Sequence, residues 1–149
     1  MKAGADIIGV GNAVASLIGP SLYEESAFRY DQATIRYIHQ LGAKAKLHIC
    51  GNITPLLPQL RQLEPDILDF DWMVDCKKIR EITEGSAICF CGNINPVAVM
   101  LEGTASEVED ETRKCIMEGG KRYIAACGCE VPANTPVNNL TAMNAALYR

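Results

Sequence analysis

Short apolar runs alternate along the chain with longer amphipathic segments, and loops rich in glycine, asparagine or proline separate them. The apolar runs predict five β-strands, at residues 5–10, 45–50, 66–72, 87–91 and 123–127. The segments between and after them predict helices, at residues 21–41, 54–63, 75–83, 106–118 and 136–147. Strands that alternate with helices are typical of βα units and a parallel sheet. The pattern therefore predicts an α/β fold, either an open sheet or part of a (β/α)8 barrel.

Composition and charge narrow the class of protein. With 149 residues, of which 48% are hydrophobic and 21% are charged, the chain is expected to form one globular domain. Its net charge of −4 and its scattered basic residues argue against nucleic-acid binding, and no apolar run is long enough to span a bilayer. Seven cysteines without a recognisable secretion signal favour thiols or metal ligands over disulfides, and predict a cytoplasmic protein.

The candidate chemistry is concentrated at the ends of the predicted strands. His48-Ile49-Cys50 ends the second strand, and alternate side chains of a strand point to the same face, so the histidine and the cysteine face the same way. Cys89-Phe90-Cys91 and Cys127-Gly128-Cys129 repeat this spacing on the fourth and fifth strands. Imidazole and thiolate both bind zinc, and three protein ligands leave a fourth position open. The spacing predicts a zinc site, with core packing of the cysteines as the alternative.

Two further sets of polar residues lie at the same predicted strand ends. Asp69 and Asp71 alternate at the end of the third strand, where two nearby carboxylates suit acid–base chemistry. The alternative is that one of them caps the next helix and the other is solvated. Asn12, Asn52 and Asn93 each follow a glycine at a strand end and are candidate contacts to a cofactor. In parallel α/β folds, the loops at the C-terminal strand ends carry the site.

Motifs that run in a familiar order cover nearly the whole chain. They are Ala3-Gly4-Ala5-Asp6, Gly19-Pro20, Leu47-His48-Ile49-Cys50-Gly51-Asn52, Asp69-Phe70-Asp71-Trp72, Gly92-Asn93-Ile94-Asn95-Pro96 and Gly128-Cys129-Glu130-Val131-Pro132. As a group they resemble the C-terminal part of the uroporphyrinogen decarboxylase-like superfamily, whose members are (β/α)8 barrels. The resemblance implies that the sheet is the C-terminal part of such a barrel.

Within that superfamily the chain resembles the zinc-dependent methyltransferases that act with corrinoid proteins and carry a His-x-Cys pair and a distant cysteine. His48 and Cys50 match the pair. Cys129, which lies 79 residues beyond Cys50, matches the distant cysteine, with Cys127 as the competing choice. The decarboxylases carry a histidine where Cys129 stands. The resemblance implies Zn²⁺ held by His48, Cys50 and Cys129, a corrinoid carried by a partner protein, and Asp71 orienting or polarising groups at the rim.

The reaction that this resemblance implies is methyl transfer between the methylated corrinoid protein and a small thiol or another methyl acceptor or donor. Two alternatives are a uroporphyrinogen-type decarboxylase and an inactive fragment that serves as a binding module. Family members are longer than this chain, so we expect residues 1–149 to form a single domain, a partial barrel that lacks its N-terminal units. Missing strands would expose open sheet edges, which predicts a homo-oligomer or a complementing chain.

Overall fold

Strands and helices alternate through the computed structural model, which describes residues 3–148. The strands are β1 (Ile7–Asn12), β2 (Lys44–Ile49), β3 (Ile67–Phe70), β4 (Cys89–Ile94) and β5 (Tyr123–Cys127). The α-helices are α1 (Ala15–Ser26), α2 (Phe28–Gln40), α3 (Leu57–Gln62), α4 (Cys76–Thr83), α5 (Ala105–Gly119) and α6 (Val137–Ala145). Among these described elements, no helix combines the length and apolar content that a bilayer crossing needs.

The five strands form one sheet in the order β1-β2-β3-β4-β5, and every neighbouring pair is parallel. Each crossover between successive strands contains at least one helix, as parallel pairing requires. The predicted α/β fold with a parallel sheet is therefore present. Because all strands run the same way, all their C-terminal ends lie along one edge of the sheet.

The helix predicted over residues 21–41 is wrong in its extent, because two helices occupy this region. The first begins at Ala15 and is kinked at Gly19, whose φ of 75° leaves the helical region just before Pro20. Proline has no N–H to donate and clashes with the preceding turn, so Pro20 accompanies this kink inside α1. The hydrophobic periodicity alone reveals neither the kink nor the division between α1 and α2 at Ala27. The π-helical segment Pro96–Leu101, which Asn95 caps through its side-chain oxygen, was not predicted either.

The hydrophobic core lies on one face of the sheet, under the helices. On β2, Ala45, Leu47 and Ile49 are fully buried in this core, while Lys46 and His48 between them are only half-buried and point to the other face. The opposite face, called the open face below, is exposed at its outer strands, where Ile124 of β5 is 43% exposed, and is buried in its middle, where Asp69 of β3 is 8% exposed. The period of two along β2 therefore separates core packing from the chemistry that the open face can carry.

Candidate metal centre

The structure brings His48, Cys50 and Cys129 together at the C-terminal edge of the sheet. Nε2 of His48 lies 3.2 Å from Sγ of Cys50, and that sulfur lies 4.0 Å from Sγ of Cys129. One ligand atom from each of the three residues lies within 4.8 Å of the others. All three side chains are partly buried, so the cluster is reachable from solvent and not sealed in the core.

Strand geometry explains why His48 and Cys50 are adjacent, but Cys129 must come from much farther away. Two strands separate β2 from β5, and a flat sheet would put these strands about 14 Å apart. Contact between the Cys50 and Cys129 sulfurs therefore requires a curved sheet and a loop that leans inward. Gly128 allows this approach, since a Cβ atom there would clash with the backbone nitrogen of Trp72.

Asp71 holds the loop that follows Cys50. Its carboxylate is 5% exposed and accepts hydrogen bonds from the backbone N–H of Gly51 at 2.9 Å and of Met73 at 3.3 Å. Gly51 has a φ of 83°, a conformation that residues with a side chain rarely adopt. Asp71 thus ties the loop after β3 to the loop after β2, next to the ligand cluster. The cap of α4 is a different residue, Asp75, which accepts from the N–H of Lys77.

A second carboxylate, Asp69, sits beside the outer nitrogen of His48. Its Oδ1 lies 3.5 Å from Nδ1 of His48, and its Oδ2 lies 2.8 Å from Nζ of Lys46. The first distance is longer than a good hydrogen bond, and the buried Nδ1 atom has no hydrogen-bond partner among the described residues. The neighbouring Asp69 carboxylate raises the pKa of His48 above its ordinary value, outweighing the opposite effect of burial. Burial, followed by the proximity of Cys129, raises the pKa of the Cys50 thiol.

The cluster opens into a cavity of about 320 Å³. Its walls include Lys46, His48, Asp69 and Cys129, together with Cys127. Cys127 is among the residues around this cavity but does not belong to the three-residue ligand cluster found among residues 3–148. Of the two cysteines left open by the spacing, Cys129 is thus the one whose sulfur lies beside Cys50.

The three asparagines predicted to contact a cofactor do not join this cluster. Asn12 donates to Asp31 at 3.0 Å and accepts from the N–H groups that begin α1. Asn52 accepts from the N–H of Thr54, and Asn93 donates to the backbone oxygen of Val74 at 2.7 Å. All three side chains therefore hydrogen-bond to the strand-end loops or to the elements next to them.

The donor set can be tested against the geometry that zinc requires. With Zn–S bonds near 2.3 Å and Zn–N bonds near 2.0–2.1 Å, a tetrahedral site separates two sulfurs by about 3.8 Å, and a sulfur and a nitrogen by about 3.6 Å. Two of the three separations, 4.0 Å between Cys50 and Cys129 and 3.2 Å between His48 and Cys50, lie close to these values, and the third, between His48 and Cys129, is within 4.8 Å. One imidazole nitrogen and two sulfurs fit a zinc ion that keeps one position for a further ligand.

Comparison with known proteins assigns the family. The family described as uroporphyrinogen decarboxylase (URO-D) matches residues 1–149, so the chain belongs to the URO-D family. A methylcobamide:CoM methyltransferase, MtbA of Methanosarcina mazei, is 34% identical over 142 residues, which cover 94% of this chain and 41% of that protein. A methylated-thiol–coenzyme M methyltransferase of the same organism is 32% identical, covering 88% of this chain and 34% of that protein. A uroporphyrinogen decarboxylase of Thermodesulfovibrio yellowstonii is 25% identical over 94% of this chain.

The fold is shared with a solved structure of the same group. A methyltransferase from Methanosarcina mazei superimposes with a TM-score of 0.84 at 27% sequence identity, covering 97% of this chain and 42% of that structure. The predicted family and the predicted fold, repeated βα units from a (β/α)8 barrel, are thereby confirmed. The chain spans about two-fifths of the length of the methylcobamide:CoM methyltransferases that it matches.

One residue of the site, Lys46, was not among the predicted ones. The only signal for it is its place two residues before His48 on the same strand, which puts both on one face. Asp69 was noted only as a partner of Asp71. Its position beside His48 depends on the β2–β3 register, in which His48 pairs with Asp69. That register is a tertiary property, so the sequence pattern could not reveal it.

Proposed function

We propose that this chain carries the metal centre of a zinc-dependent methyltransferase, which moves a methyl group between a methylated corrinoid protein and a small thiol or a related donor or acceptor. The observation that carries the proposal is the convergence of His48, Cys50 and Cys129, with ligand atoms within 4.8 Å of one another. The similarity to methylcobamide:CoM methyltransferases supports the corrinoid partner and the thiol.

His48, Cys50 and Cys129 would hold the zinc ion through Nε2 and the two sulfur atoms. Zinc in such a site lowers the pKa of a bound thiol, so that the thiol is deprotonated and nucleophilic at neutral pH. The cavity of about 320 Å³ beside the cluster offers room for a small thiol. Its open side gives a large partner, such as a corrinoid protein, access to the same edge of the sheet.

Asp71 and the strand-end asparagines act on the loops of this edge. Asp71 orients the loop of Cys50 by accepting the Gly51 N–H, which keeps the Cys50 sulfur near Cys129. Asn12 and Asn93 lie at the ends of β1 and β4, and Asn52 lies in the loop after β2; we propose that this edge of the sheet contacts the corrinoid.

The open face of the sheet is proposed to be covered in the working protein, by a second copy of this chain or by a complementing chain. Half-exposed apolar side chains on the strands, such as Ile7 at 46% and Ile124 at 43%, favour such a cover. Light scattering coupled to size-exclusion chromatography tests it. A strictly monomeric protein at micromolar concentration would contradict the homo-oligomer.

Metal content and turnover test the function together. The wild-type chain is expected to bind one zinc ion, and His48→Ala to lose most of it. The control is His39→Ala, because His39 lies on α2 and pairs with Asp66 on the surface.

Methyl transfer from methylcobalamin to coenzyme M is then measured. Equal zinc in His48→Ala and wild type would overturn the metal assignment. Zinc without transfer would favour a binding module, and zinc-free decarboxylation of a porphyrinogen would favour the decarboxylase.

A further inference from the structure

Lys46, Asp69 and His48 form a short chain of charged and polar groups that leads up to the metal centre. Nζ of Lys46 lies 2.8 Å from Oδ2 of Asp69, and Oδ1 of the same carboxylate lies 3.5 Å from Nδ1 of His48. The imidazole in turn presents Nε2 to Cys50 at 3.2 Å. The two ring nitrogens therefore have different tasks: one faces the sulfur ligands and the other faces a carboxylate.

The pairing of β2 with β3 explains why these three side chains lie next to one another. Lys46 and His48 are two residues apart on β2 and so share a face, and parallel pairing sets His48 beside Asp69 of β3. The Asp69 side chain is only 12% exposed. A buried carboxylate is costly unless partners compensate its charge, and Lys46 and His48 are the partners that face it here.

We propose that Asp69 is the positioning residue of His48, and that Lys46 anchors Asp69. This inference rests on the proposed zinc site. When Nε2 of an imidazole binds a metal, the ring proton is on Nδ1, and a carboxylate there fixes the tautomer and the ring orientation. Nδ1 of His48 is buried and lacks a hydrogen-bond partner among residues 3–148, and Asp69 is the acceptor beside it. The Lys46 ion pair keeps that carboxylate from turning away.

The chain contains a matched arrangement that lacks a metal centre. Asp66, just before β3, binds Lys44 at 3.1 Å and His39 at 2.9 Å, so it also joins a lysine to a histidine. None of these three residues belongs to the ligand cluster. Asp66→Asn is therefore the matched control: it removes one negative charge from a lysine and a histidine, at the residue that precedes β3.

The test compares metal affinity and metal spectroscopy in the full chain. Zinc affinity is measured by competition with a chromophoric chelator, and Co²⁺ is substituted to record its ligand-field and sulfur-to-cobalt bands. Asp69→Asn is expected to weaken zinc binding by about 10–100-fold and to shift the cobalt bands. Lys46→Gln is expected to act in the same direction to a smaller extent. Lys46→Arg keeps the cation and should restore both readouts, and Asp66→Asn should leave both unchanged.

The outcomes separate this inference from the proposed function. If the wild-type chain binds neither zinc nor cobalt, the zinc site itself fails. If the wild type binds metal and folded Asp69→Asn binds it with the same affinity and spectrum, only the positioning role is overturned. Melting of the metal-free proteins checks the fold. If Asp69→Asn does not fold, the Lys46→Gln and Lys46→Arg pair decides, because equal affinity in the two would contradict the anchoring role.

Discussion

The sulfur atoms of Cys50 and Cys129 lie 4.0 Å apart, although 79 residues separate them in the chain. The two cysteines follow strands that do not pair with each other, since β3 and β4 lie between β2 and β5. Sheet curvature and the close approach of Gly128 to the backbone of Trp72 create the contact. The candidate metal centre thus depends on the shape of the whole sheet and not on a local motif.

The choice between the two cysteines at the end of β5 leads to a first prediction. Cys129→Ser is expected to lower zinc occupancy at stoichiometric metal, because it leaves only His48 and Cys50 as protein ligands. Cys127→Ser is the matched control, since Cys127 lines the same cavity but lies outside the ligand cluster. Elemental analysis after gel filtration measures both. Zinc lost from Cys127→Ser and kept by Cys129→Ser would reverse the assignment.

The close approach at Gly128 yields a second prediction. Gly128→Ala is expected to lower the free energy of unfolding by about 1–3 kcal/mol, because the new methyl group meets backbone atoms of Trp72 that cannot move aside. It should also weaken zinc binding by displacing Cys129. Urea denaturation and chelator competition measure the two effects. Gly9→Ala, whose methyl group enters open space, should change stability by less than about 0.5 kcal/mol. Equal behaviour of the two variants would argue against the packed loop.

The surface carboxylate Asp66 carries a pH-dependent contribution to stability. Partial burial raises its pKa, but hydrogen bonds from the Ala45 N–H, Lys44 and His39 outweigh this and leave the pKa below its ordinary value. Its stabilisation is therefore full above the unfolded pKa of about 3.9 and is lost as pH falls through the folded pKa. Asp66→Asn should cost at most about 1 kcal/mol at pH 7 and less at pH 3. Urea denaturation at both pH values checks this, and an equal cost at both would contradict it.

Asn139 connects α6 to the segment before α5 through two hydrogen bonds. It is 3% exposed and donates to the backbone oxygens of Met100 at 2.9 Å and Gly103 at 2.7 Å. Asn139→Ala is expected to lower the free energy of unfolding by about 1–3 kcal/mol, because one buried and one partly buried backbone oxygen lose their donor. The exposed neighbour Asn138 is the control, and Asn138→Ala should cost less than about 0.5 kcal/mol. Similar losses for both variants in urea would show that the two hydrogen bonds contribute little.

The sequence alone predicted the type of fold because each βα unit is encoded locally. The apolar runs marked the five strands, and the parallel sheet followed from their alternation with helices. Helix boundaries were less accurate: the 3.6-residue period over residues 21–41 showed neither the division between α1 and α2 at Ala27 nor the kink at Gly19 and Pro20 inside α1. The alternation along β2 correctly put His48 and Cys50 on the same side, because strand periodicity is also local.

Tertiary structure decided which of these residues meet. Only the register of β2 with β3 places Asp69 beside His48, and only the curvature of the sheet brings the loop of Cys129 to Cys50. A pattern of residues specifies the face on which a side chain lies, since that depends on backbone geometry within one element. Distances between elements depend on how strands pair and helices pack, which involves contacts between residues far apart in the chain. The metal-binding role of the cluster stays a prediction that zinc analysis can test.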